Sequence, residues 1–487
     1  MTNNNPSHID LQATAKEVMQ EHGFQPDFPP AVATQLAELK TQPQATVMDG
    51  VRDLRNLLWS SIDNDTSRDL DQIEVVERST NGDVKVMIAI ADVDAMVSEA
   101  TPIDQHAARE TTTVYAGVRN FHMLPEELST GMTSLLENED RLSIVIEFTV
   151  DAAGNLKSSD LYRALVRNQA QLQYNAVGAW LDGRAAATQK IQLSNLLQEQ
   201  LKVQNEVAQR LKHQRVQHGA LNLQTDETHP LVLNDHVVDV VKQQRNPATD
   251  LIEDFMVAAN GVVARFLENV SSLRRIVRTP KRWDRIVELA ASKGEKIPAE
   301  PDSKALNDFL LQQKASDPDR FADLSLAIIK LIGPGEYVLE RAGETAPGHF
   351  GLAVQDYTHS TAPNRRFADM VTQRLIKAKL ARQSNPYSDD ELTAIAANCT
   401  EKEDAARKVE RDMSKRLAAI AMQSRIGQVF DAIVTGVTDH GTFVRVLQPL
   451  VEGLLVQGPR GLDVGDKLRA RLIRTDPTKG YIDFARA

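Results

Sequence analysis

Residues 60–77 read SSIDNDTSRDLDQIEVVE, with Asp63, Asp65, Asp69 and Asp71 packed into nine positions. Like charges this close repel one another, and a divalent cation among them is the usual remedy. Counted from Asp63, oxygen-bearing residues fall at positions 1, 3, 5, 7, 9 and 12, which is the spacing of an EF-hand calcium loop. Two demands of that loop fail. Position 6 should be a glycine that allows a sharp turn, and it is Arg68; the loop should run into a helix, and it runs into the strand-like IEVVE. An acidic surface loop is the bland alternative, but it leaves the repulsion without a remedy. The aspartates therefore read as a carboxylate cluster that abuts β-structure.

Outward from this loop, IEVVE, the turn signal STNGD and VKVMIAIADVDAMV predict strands across residues 53–94. LSIVIEFTV at 142–150, followed by DAAGN, predicts another strand and turn. Upstream, residues 11–22 and 31–40 predict two short helices separated by QPDFPP, whose prolines forbid helix continuation. They form either a small helical module over residues 1–45, of helix-turn-helix type, or a docked extension; TQPQATVMDG at 41–50 reads as a linker. Apolar residues at helical spacing predict long helices over 194–217, with a solvated Gln-rich face, and over 251–270. Five short strand patterns after Gly427 predict a small closed β-barrel, the OB-fold being the first candidate.

Composition narrows the function classes. The 487 residues are 42% hydrophobic and 25% charged, enough for a large core in several domains. The lone cysteine, Cys399, excludes an internal disulfide framework and multi-cysteine metal sites, and points to a reducing, cytoplasmic setting. MTNNNPSHIDLQ lacks the basic and apolar segments of an export signal, and no apolar run is long enough to span a bilayer, so no membrane partner is expected. A net charge of -11 argues against indiscriminate coating of nucleic acid, yet leaves room for a basic channel in an acidic shell.

The spacing at 62–72 resembles the catalytic motif of the ribonuclease II and ribonuclease R (RNB) family of 3′-to-5′ exoribonucleases. That motif is Ile-Asp followed by aspartates six, eight and nine positions on; here Ile62-Asp63 is followed by Asp69, Asp71 and Gln72. The resemblance continues in the family's order through IAIADVDAMV (88–97), ETTTVYAGVRNFHMLPEELSTGMTSL (110–135), LVRNQAQLQYNAV (165–177), HGALNLQTDE (218–227), LIEDFMVAAN (251–260), HFGLAVQDYTHSTAPNRRFADM (349–370) and ARKVERDM (406–413). It implies an α+β architecture: an RNB-type catalytic domain with a mixed or antiparallel sheet and helices over 50–420, and an S-one-type OB barrel over 427–487. The family's two N-terminal cold-shock modules are expected to be absent from this short form.

By the same resemblance, Asp63, Asp69, Asp71 and Gln72 form the site for Mg2+, with Mn2+ as a substitute, and Asp71 takes the position of the essential catalytic aspartate. Carboxylate-bound Mg2+ activates water and neutralises phosphate charge. Gln72 departs from the family's fourth aspartate: an amide offers a neutral oxygen, and Asp65 is the candidate to replace the missing charge. Arg365, in HSTAPNRRFAD, is expected to bind the phosphate and stabilise the transition state, with Arg366 beside it. Tyr115 would stack on the terminal base, while Tyr174 and Glu253 would read the ribose. Leu223 stands where a second stacking aromatic is common, and Glu410 matches an acidic position near the active site. In the barrel, Phe443 and His440 are placed to stack on bases, and Arg469, Arg471 and Arg474 to track phosphates. The implied substrate is single-stranded RNA, cut by a monomer to nucleoside 5′-monophosphates. The rivals are an RNA-binding regulator weakened by Gln72 and a calcium-binding protein.

Overall fold

The computed structural model describes residues 10–41, 49–224, 228–233, 236–242, 245–318 and 320–487. Most of the expected linker at 41–50, the ends of the N-terminal segment and residues 225–227 of HGALNLQTDE lie outside them. A seven-stranded mixed sheet forms the centre, in the order Val51–Asp53, Leu156–Arg167, Asp140–Val150, Val84–Ala91, Gln72–Arg78, Ser60–Asp63, Ala170–Gln173. The two outer strands pair in parallel with their neighbours and the inner pairings are antiparallel. Val84–Ala91 is buried along nearly its whole length because both sheet faces are covered, which is why VKVMIAIA runs apolar instead of alternating. Gly82, at φ 87°, supplies the left-handed residue in the hairpin that leads into it.

Helices Asn195–Gln217 and Pro247–Phe266 pack together, the second also touching strand Asp140–Val150. Helix Phe367–Leu380 is buried on every side from Phe367 to Ile376, so its polar residues must be matched internally. Arg374 meets Asp94 and Asp104, each at 2.7 Å. Asp369, fully buried, accepts from the Arg366 guanidinium at 2.9 and 2.7 Å and from the Ala362 amide at 2.8 Å. Asp369→Ala leaves that guanidinium buried and unpaired, and is expected to cost about 3 kcal/mol of unfolding free energy, read by urea titration.

Helix Asp389–Met422 begins with a capping box of Ser388 and Glu391 and runs for 34 residues. Leu392, Ala396 and Cys399 enter the main core; Ala406, Val409 and Met413 pack against Val114, Ala116 and Phe121; Ala419 and Met422 reach the barrel. The barrel closes from Val429–Thr438, Gly441–Leu447, Leu450–Gln457, Lys467–Asp476 and Tyr481–Arg486, with the third and fifth strands parallel, matching the expected five strands.

The two N-terminal helices, Leu11–Glu21 and Pro30–Leu39, do not build a core of their own. Ala15, Val18 and Met19 join the cluster on the long helix, whereas Val32, Leu36 and Leu39 join the main core. Each helix therefore packs on a different part of the catalytic unit.

Candidate active site

The acidic loop is held by a residue that carries no charge. Leu70 is fully buried; its amide donates to Ser134 Oγ at 2.9 Å, its carbonyl accepts from the Leu135 amide at 3.0 Å, and Ser134 Oγ donates to the Arg68 carbonyl. With Leu70 pinned, Asp69 and Asp71 flank it, and Asp71 is drawn inside to 3% exposure. There its Oδ1 accepts from the Asn364 amide at 2.9 Å, and its Oδ2 lies 3.4 Å from Arg365 Nε. Residues nearly three hundred positions apart thus meet at one carboxylate.

The loop that brings Asn364 and Arg365 is itself stapled down. The Thr113 amide donates to the Arg365 carbonyl at 3.0 Å, the Phe367 amide to the Thr111 carbonyl at 2.8 Å, and Thr133 Oγ1 to Asn364 Oδ1 at 2.6 Å. With Asp369 holding Ala362 and Arg366, the Arg365 side chain is left 42% exposed, facing Asp71 on one side and solvent on the other. Arg366 goes the other way: its guanidinium is committed to Asp369, which raises its already high pKa. That pairing anchors the loop, while Arg366 also lines the recess beside Arg365.

Asp63, at the end of strand Ser60–Asp63, stands 3.5 Å from Gln72 Nε2 through Oδ1, while its Oδ2 is buried without a hydrogen-bond partner. Burial, then the charges of Asp71 and Asp69, push its carboxyl up to about 7. Asp71 is also raised to about 7, by burial, against the opposing pull of Arg365 and the Asn364 amide. Asp65, the candidate to replace the charge that Gln72 lacks, is exposed. Among the described residues, no three His, Cys, Asp or Glu side chains stand close enough, as arranged, to hold a metal ion. The chemistry of the donors nevertheless fits a hard divalent cation: desolvated carboxylates, an amide oxygen and an orphaned Asp63 oxygen.

Beside Arg365 opens a recess lined by Thr111–Thr113, Tyr115, Tyr337, His359, Arg366, Glu403, Arg407 and Glu410. Tyr115 is 41% exposed in it, and Glu410 on the long helix accepts from the Tyr115 amide at 3.1 Å. Tyr174, half-buried at the start of helix Tyr174–Leu181, has its hydroxyl pKa raised by burial and then by Asp63 and Glu74, which places it on the Asp63 side. Two expected residues are not brought in. Glu253 is exposed on its helix and ion-paired with Arg245, and Leu223 packs against the cluster around Trp283, Ile286 and Phe321. Sequence reasoning missed Asn364, whose contribution is a backbone N–H, and Asp369, whose carboxylate acts through Arg366. It also missed the Tyr337 hydroxyl–His359 Nδ1 contact of 2.7 Å behind the recess.

The RNB domain profile matches residues 51–382, and the profile of the ribonuclease II-type exonuclease C-terminal S1 domain matches residues 428–487. This chain belongs to the RNB family. Ribonuclease R of Thermotoga maritima is 28% identical over 517 aligned positions, covering 98% of this chain and 70% of that protein. Ribonuclease R of Escherichia coli K12 is 30% identical over 446 positions, covering 88% of this chain and 54% of that protein. Among solved structures, the apo form of Mycoplasma genitalium RNase R superimposes with a TM-score of 0.86 at 22% identity, over 98% of this chain and 78% of that one. Yeast Ssd1, titled a pseudonuclease, aligns with a TM-score of 0.70 at 16% identity, over 96% of this chain and 57% of that one. Within the RNB fold, Asp71, Arg365 and the Tyr115 recess lie together, and Gln72 is the one departure from the motif's acids. No helix among the described residues is long and apolar enough to cross a membrane.

Proposed function

We propose that this RNB-family chain is a 3′-to-5′ exoribonuclease that shortens single-stranded RNA to nucleoside 5′-monophosphates in a Mg2+-dependent reaction, as a monomer. The observation that carries this reading is the meeting of Asp71 and Arg365 at the edge of the Tyr115 recess, at 3.4 Å. When bound, the cation supplies an activated water and neutralises phosphate charge, and Asp63, Asp69, Asp71 and Gln72 would hold it.

The chain's own residues do the rest. Asp71 stands at the reacting phosphate, and the partly exposed Arg365 fork binds its oxygens as negative charge builds. Tyr115 offers a face for the terminal base, held in place by Glu410 through its amide. Tyr174, near Asp63, offers a hydroxyl to the ribose. The barrel contributes Arg471 more readily than Arg469 or Arg474, which pair with Asp431 at 3.4 Å and Asp483 at 2.8 Å. In this reading residues 50–420 are catalytic, 427–487 bind RNA, and the two helices Leu11–Glu21 and Pro30–Leu39 of the N-terminal segment brace the catalytic unit.

A second reading, an RNA-binding regulator without turnover, is favoured by Gln72, whose amide brings no charge to the site. Incubating 5′-labelled RNA with the protein, with and without EDTA, separates the two. A ladder of shortened products that EDTA abolishes is expected; uncleaved RNA at saturating Mg2+ and Mn2+ overturns the enzyme reading.

A further inference from the structure

Glu74 is the second residue after Gln72 in strand Gln72–Arg78, so strand alternation puts both side chains on one face of the sheet. It lies opposite Ser60 in the neighbouring strand and is fully buried. Neither of its carboxylate oxygens has a hydrogen-bond partner, and the facing Ser60 hydroxyl has none either. A carboxylate taken out of water with no donor and no counter-charge is strongly unfavourable. A neutral carboxylic acid does not remove the difficulty, because its O–H still needs an acceptor. The one charged group that acts on Glu74 is another acid, Asp63, which carries an orphaned oxygen of its own. Gln72 meets Asp63 at 3.5 Å and shares its strand face with Glu74, so Asp63, Gln72 and Glu74 border one region. The Arg365 cation acts on Asp63 and on Tyr174, whereas Glu74 is left with burial and a second acid and no cationic partner.

We propose that Glu74 supplies the anionic group on the Gln72 side of the metal site, standing in for the charge that Gln72 does not carry. The inference rests on the divalent-cation reading above. Charge is moved two residues along the strand: Gln72 gives a neutral amide whose N–H faces Asp63, and Glu74 gives the negative charge behind it. The site keeps its acidity while the repulsion next to Asp71 is relieved. This also accounts for a buried acid in a strand whose other inward positions are apolar or amide.

The test is Mn2+ binding by the full chain, followed through the EPR signal of free Mn2+, without reference to turnover. Glu74→Gln keeps the shape, and its affinity for Mn2+ is expected to fall roughly 10- to 100-fold. The double variant Gln72→Asp, Glu74→Gln puts the charge back and is expected to return affinity toward that of the unaltered chain. Glu74→Leu guards against a folding defect: an apolar side chain suits the buried slot, so it is expected to melt no lower than the unaltered chain while binding Mn2+ as weakly as Glu74→Gln. Folded Glu74→Gln or Glu74→Leu protein that binds Mn2+ like the unaltered chain overturns the assignment of Glu74 and leaves the cation reading standing. An unaltered chain that takes up no Mn2+ overturns both.

Discussion

Asp71→Asn is expected to lower the rate of RNA cleavage by a factor on the order of 10³ while leaving RNA affinity nearly unchanged. The amide keeps the outline of the carboxylate and can still accept from the Asn364 amide, so the loop geometry survives. What disappears is the negative charge at the centre of the site. Stability should move the other way. In the metal-free protein, burial raises the Asp71 carboxyl from 3.8 to about 7, so folding loses stability as pH rises between those values and the loss is complete above them. Asparagine carries no such penalty. At alkaline pH in EDTA the variant is expected to melt at or above the temperature of the unaltered chain, the trade expected where function holds an uncomfortable charge. Labelled-RNA kinetics and a melting curve on the same preparation check both halves; retained turnover would remove Asp71 from the reaction.

Arg365→Ala carries the second large effect, a fall in kcat of about 10²- to 10³-fold. Two losses combine. The phosphate loses its guanidinium fork, and Asp71 loses the cation that opposes its desolvation. Arg365→Lys returns the charge without the planar pair of donors, and should recover only part of the rate. Since the loop backbone is fixed by Thr113, Thr133 and Asp369, neither variant should disturb the fold. Steady-state kinetics on a short oligonucleotide separate the terms, and a change confined to KM would reassign Arg365 to ground-state binding.

The sequence disclosed these two residues for different reasons. Asp71 belongs to a spacing dense enough in charge to demand explanation, and its neighbours Arg68 and IEVVE weaken the calcium-loop alternative. Arg365 became visible through an ordered set of blocks far apart in the chain. Strands of the barrel and the hairpin at STNGD were legible because alternation and turn chemistry are local. The helices over 283–332 left no comparable mark, since their buried residues Ile286, Leu310 and Ile328 serve a satellite cluster whose shape depends on three helices at once.

Contacts made by backbone groups or by burial were less legible. Asn364 contributes an amide hydrogen, which any residue but proline would carry, and Asp369 is seen to matter only once its pairing with Arg366 is known. The ion pairs of Arg366 and Glu253 were hidden for the converse reason. Each side chain has the right chemistry for RNA, and each also stands in an ion pair, with Asp369 and Arg245.

The long helix Asp389–Met422 ties these parts into one mechanical member. At about 1.5 Å per residue it is roughly 50 Å long, a strut with its foot in the main core and its far end against the barrel. Glu410, which holds Tyr115, sits on the same strut, and Glu403 lines the same recess. One continuous element therefore sets the spacing between the barrel and the Tyr115 recess, and an inserted or deleted turn in it would change both distance and facing together.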